Sequence, residues 1–90
     1  MQARAHLARQ EFVQARLLLR ETIAQAPQAL WPLVVLSRVL LQEGRDEEAA
    51  EQALRDVLAM ASNHAEARRN LDVLLQRKRE RMGSIVEIPG

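Results

Sequence analysis

Residues 41–54 read LQEGRDEEAAEQAL. Gly44 can take the left-handed backbone conformation that closes a helix. Two residues later Asp46 is a good N-cap, and Glu47 and Glu48 suit the positive end of a helix dipole. The stretch therefore predicts one helix ending at Gly44 and another starting at Asp46, with almost no loop between them. A turn this tight makes a helical hairpin.

Helices extend from this turn in both directions. Upstream, a helix is expected from about Ala29 to Gln42 or Glu43. Pro32 is tolerated in its first turn, where the amides have no intrahelical acceptor. Downstream, the helix that starts at Asp46 runs to about Met60. Ser62 or Asn63 is then expected to cap a last helix through HAEARRNLDVLLQRKRER, ending near Gly83. Before Pro27, which stops a helix, Phe12, Ala15, Leu18, Leu19, Thr22 and Ile23 recur at helical spacing from Glu11 or Phe12 to about Ala24. A short helical piece from Gln2 to about Arg9 precedes it. The expectation is an all-α chain of about five helices. Residues 1–82 form the helical domain and residues 83–90 a tail too short to be a domain.

Composition narrows the function. The chain has 90 residues, enough for one small domain of limited stability. It has no cysteine, which removes disulfides and thiolate metal sites. Met1 to Gln10 carries two arginines, a histidine and no apolar block, so no signal-peptide pattern opens the sequence. Apolar runs such as Leu33 to Leu36 are too short to span a bilayer. A cytoplasmic location and no membrane partner are expected. The formal charge of +1 hides six basic residues against two acids in residues 68–81. Twelve of the thirteen basic residues are arginine, whose planar guanidinium favours carboxylate or phosphate.

The hairpin pattern repeats. Ala15 and Ala49 lie 34 residues apart, and Leu36 and Leu71 lie 35 apart. Self-similarity at this period marks a helical repeat array, in which each pair covers the apolar face of the next. On these residues the chain resembles the tetratricopeptide repeat family. In the second repeat, Leu33, Leu36, Ser37 and Leu40 match helix A, followed by the turn glycine Gly44 and by Ala49. Leu54 and Val57 match helix B with one extra residue, and Ser62 stands at the usual proline position. In the first repeat, Ala3, Phe12, Ala15, Leu19, Thr22 and Pro27 match. Leu71 and Leu75 match helix A of a third. The resemblance implies a right-handed superhelix of antiparallel helix pairs, an α-solenoid, with Ser37 facing Ala49 where the helices of one pair cross. Asp72 departs from the pattern, because a small uncharged residue belongs there. A buried carboxylate would be costly, so no further helix is expected to pack on it.

Chemistry is scarce. His6 and His64 have no Cys, His or carboxylate partners at ligand spacing. Glu47, Glu48 and Glu51 read as a solvated helix start. No phosphate loop and no nucleophile–base motif is present. No enzymatic role, metal or cofactor is expected.

The resemblance instead implies a protein-interaction scaffold that binds a peptide on the concave faces of its A helices. The matching positions are Arg4, Leu7 and Ala8 on the first helix, and Trp31, Val34, Arg38, Leu41 and Gln42 on the third. The fifth supplies Arg69, Val73, Gln76 and Arg77. Arginine mixed with apolar side chains suits a partner segment that carries carboxylates and an apolar anchor. The family's clamp for a terminal carboxylate is not matched, since Val35 stands at its central asparagine and Glu66 replaces a basic residue. Trp31 is expected to pack between the first two repeats, with ligand contact as its other role. The basic run reads as a solvated terminal helix rather than a nucleic-acid site, because no aromatics are interleaved with it.

The sequence opens inside a repeat, and WPLVVLSRVLLQEGRDEEAAEQALRDVL resembles the repeat tails of bacterial glycosyltransferases. This implies an alternative role as a non-catalytic, regulatory, targeting or acceptor-binding tail of a larger enzyme. Apolar surface that includes Phe12 and Leu19 or their neighbours is expected to make the chain form a homodimer or be only marginally stable.

Overall fold

The computed structural model describes the backbone of residues 2–86 and the side chains of residues 9–81. The described residues are all-helical and contain no strand. Four helices follow in order: α1 (Gln2–Gln25), α2 (Trp31–Glu43), α3 (Glu47–Met60) and α4 (Ala65–Val86). The count is four rather than five, because the expected break near Gln10 is absent. Arg9, Gln10 and Glu11 are all good helix formers, and neither glycine nor proline interrupts them. The two predicted N-terminal pieces are one rod of 24 residues.

The central turn forms as its residues require. Gly44 has φ +70° and its N–H donates to the Leu40 carbonyl at 3.0 Å. The Asp46 carboxylate accepts the Ala49 N–H at 3.0 Å. Pro32 sits in the first turn of α2. At the other end of the hairpin the expected cap is corrected. α4 starts at Ala65, and His64, not Ser62 or Asn63, accepts the first-turn amide. α4 also runs past Gly83 to Val86. Glycine in a helix interior costs about 1 kcal/mol but stops the helix only when it turns left-handed. Among the described residues only Gly44 does so.

Consecutive helices pack on one another: α1 on α2, α2 on α3 and α3 on α4. The core joins Leu19 of α1, Leu33, Leu36 and Leu40 of α2, Leu54 and Val57 of α3, and Leu71 and Leu74 of α4. Small residues let the helices approach. Ser37 is 3% exposed and disposes of its hydroxyl by donating to the Val34 carbonyl at 2.7 Å. On α3 the deepest small residues are Ala50 and Ala53, while Ala49 is only partly buried. The buried stripe of α3 is therefore one residue out of phase with an Ala49-centred crossing. Asp72 is exposed.

Candidate functional site

One face of α2 carries Trp31, Val34, Arg38 and Leu41, spaced by three or four residues so that they stack in line. Val34 and Leu41 lean on the core. Trp31 is 59% exposed, so less than half of its surface is covered. It stands in the first turn of α2, and the positions pointing inward there are Pro32 and Leu33. Gln42 is exposed one step outside this line.

On α4 the residues Arg69, Val73 and Arg77 recur every fourth position and share one side of that helix. A cleft of about 190 Å³ is lined by Leu41 of α2 and by Asn70, Val73, Leu74 and Arg77 of α4. A narrower space of about 70 Å³ adjoins it through Leu41, Leu74 and Arg77 and reaches the turn at Gly44. Leu41, Val73 and Arg77 are thus brought together from helices more than thirty residues apart in sequence. Val73 is 47% exposed, so its methyls are open to a partner. Arg77 makes no ion pair among the described residues.

Arg38 is differently employed. Its Nε donates to one Glu66 carboxylate oxygen at 2.7 Å and its Nη2 to the other at 2.6 Å. This forked pair ties α2 to the first turn of α4. The hydrogen bonds from Arg38 hold the Glu66 carboxyl below the usual carboxylate range, against the opposing pull of its slight burial. The same bonds raise the Arg38 guanidinium above its ordinary value. Arg38 is therefore a structural cation that bridges α2 and α4 and does not line the cleft.

Two further predicted positions fall elsewhere. Gln76 lines a separate depression of about 450 Å³ with Asp72, Leu75, Lys78 and Arg79, on another side of α4. Arg4, Leu7 and Ala8 belong to α1, and their side chains lie outside the described residues. The expected apolar patch is also redrawn. Leu19 is buried and Phe12 half-buried, while Val13, Leu17 and Leu18 are the exposed large apolar residues among the described side chains of α1.

Sequence reasoning missed the ionic seam between α3 and α4. Arg81 donates to Glu47, and Lys78 donates to Glu51 at 3.0 Å. Arg55 also donates to Glu51 at 3.0 Å from one turn along α3. Hydrogen bonds from Lys78 and then Arg55 hold the Glu51 carboxyl below its ordinary value. Two of the three acids read as a solvated helix start, Glu47 and Glu51, are in fact partners of two cations read as a solvated terminal helix. The signal was present in their register: rising four positions on α3 meets falling three on α4, as antiparallel helices require. Asn70 was missed as a cleft residue because a lone asparagine in a polar run carries no pattern.

A second ionic contact joins α1 to the end of α2. Arg16 Nε lies 3.1 Å from Glu43, whose side chain is only 5% exposed. The N–H is not aimed to make a hydrogen bond, so the contact is coulombic.

The described residues hold no group of three or more His, Cys, Asp or Glu side chains that could bind a metal ion. None of their helices is long and apolar enough to cross a membrane. No family model, curated protein or solved structure matches the chain.

Proposed function

We propose that the chain is a non-catalytic protein-interaction module of the tetratricopeptide type, built as a short right-handed solenoid. It binds an extended or helical partner segment along the α2–α4 face. The observation that carries this reading is the convergence of Leu41, Val73 and Arg77 on one cleft. Leu41 and Val73 offer apolar contact, and Arg77 offers a forked cation with no ion-pair partner among the described residues. The chemistry fits a segment with an aliphatic or aromatic anchor and a nearby carboxylate. Trp31, exposed on the same face of α2, extends the surface toward the N-terminal end of that helix.

The ionic seam supports a protein partner over a nucleic acid. Lys78 and Arg81 are engaged by Glu51 and Glu47, which leaves fewer free cations along the basic run for phosphate contacts.

Selection from a random peptide library tests the reading. The expected outcome is an enriched motif with an apolar residue close to an acid. Its binding should weaken more than tenfold in Arg77→Glu and stay unchanged in Arg79→Glu, on the other side of α4. No enrichment, or enriched peptides indifferent to Arg77→Glu, would remove the proposal.

A further inference from the structure

The two neighbouring helix starts use different chemistry. α3 is capped by the carboxylate of Asp46. α4 is capped by an imidazole. The Ala67 N–H donates to His64 Nδ1 at 3.2 Å, and the Arg68 N–H donates to the His64 carbonyl at 3.0 Å. These two bonds put His64 at the N-cap and Ala67 at the third helical position. A ring nitrogen accepts only while it holds a lone pair, and a protonated imidazole has two donors and no acceptor. Gaining a proton therefore deletes the capping bond and leaves the Ala67 N–H without its acceptor. It also places a cation at the positive end of the helix dipole.

We propose that His64 is a pH-sensitive cap that loosens the first turn of α4, and with it the Arg38–Glu66 bridge, when its ring is protonated. Glu66 is in that same first turn, so the bridge to α2 depends on the backbone the cap holds. The bridge lies on the face that also carries Leu41, Val73 and Arg77. As regulation of a partner cleft, the inference rests on the reading proposed above; the capping chemistry does not.

The Glu66 carboxylate lies near the ring, and Arg38 from α2 and Arg69 from α4 gather around that same carboxylate. The connection from α3 contributes the Ala61 carbonyl, which accepts the His64 backbone N–H at 3.0 Å and brings no net charge. Imidazoles change charge between about pH 5 and 8. The carboxyls of Glu51 and Glu66 are both held below their ordinary values, so they stay charged across that range.

Hydrogen exchange at the Ala67 amide, read by NMR on the whole chain, tests the cap. The other histidine, His6, is replaced in all samples by His6→Gln, and the Val57 amide of α3 is the internal reference. Between pH 7.5 and 5.5, protection at Ala67 relative to Val57 should fall about fivefold with His64 present, the size of a lost cap. In His64→Asn, which keeps an acceptor that does not titrate, it should stay constant. Unchanged protection with His64 present, or an equal fall in His64→Asn, overturns the proposal. The measurement uses no ligand, so its result is independent of whether any peptide binds the cleft.

Discussion

Arg38 of α2 and Glu66 of α4 lie 28 residues apart and are joined by two parallel hydrogen bonds of 2.7 and 2.6 Å. The pair crosses the face on which a partner would sit, and it sets the spacing of the two helices there. Replacing Arg38 with alanine should weaken partner binding through this spacing rather than through loss of a direct contact. Glutamine at Glu66, which keeps one acceptor for the Arg38 fork, should weaken it less. Isothermal titration of a selected peptide against both variants distinguishes the two effects.

Gly44→Ala should destabilise the fold by about 1 kcal/mol, because a side chain forces the left-handed backbone to be strained. The cost is conformational and not a clash, since an added Cβ would come no closer than 3.9 Å to the Leu41 carbonyl oxygen. Urea denaturation with an unchanged m-value is the expected signature.

Asp46→Ala should cost about 1 kcal/mol through loss of the bond to the Ala49 amide. Asp46→Asn should recover most of it, as asparagine caps nearly as well. Equal stability of Asp46→Ala and the parent chain in thermal melts would show that the turn is held by Gly44 alone.

Leu54 is fully buried, and truncation to alanine should cost about 2–5 kcal/mol. Leu17 is 65% exposed, and the same truncation there should change stability by less than about 0.5 kcal/mol. Circular dichroism melts of the two variants give the contrast directly.

Acid should unfold the chain in a characteristic way. Glu51 and Glu66 have carboxyls held below the usual range by their cationic partners. Such groups stabilise the fold above the unfolded-state carboxylate pKa, and the contribution is lost as pH falls through the lower folded value. Stability should therefore decline below about pH 4.5. Glu51→Gln should flatten that decline, at the cost of lower stability at neutral pH. Added salt should shrink the difference between the two proteins, because the pairs are exposed.

The helical class was legible in the sequence because local signals agreed. Gly44, Asp46 and the two glutamates each pointed to the same turn, and Leu33, Leu36 and Leu40 marked one buried face. The repeat pattern misled where it was stronger than the local chemistry. It asked for a turn near Gln10, although nothing there can make one, and α1 runs straight through. The cleft was half legible. The resemblance to the repeat family implied Leu41, Val73 and Arg77 as residues of one concave face. It could not show that Arg38 is taken by Glu66, because which cation meets which acid depends on how far one helix slides along the next. The cap at His64 was hidden for another reason: histidine is a poor predictor of a helix start, and Ser62 and Asn63 beside it are good ones.

The length of α1 has a mechanical consequence. Arg16 meets Glu43, the final residue of α2, and residues 2–15 of α1 precede that contact. At 1.5 Å per residue, that length of helix is about 20 Å. Leu19 and Ile23, which anchor the rod, sit behind the contact point. Trimming or lengthening α1 at its start would therefore leave these anchors in place.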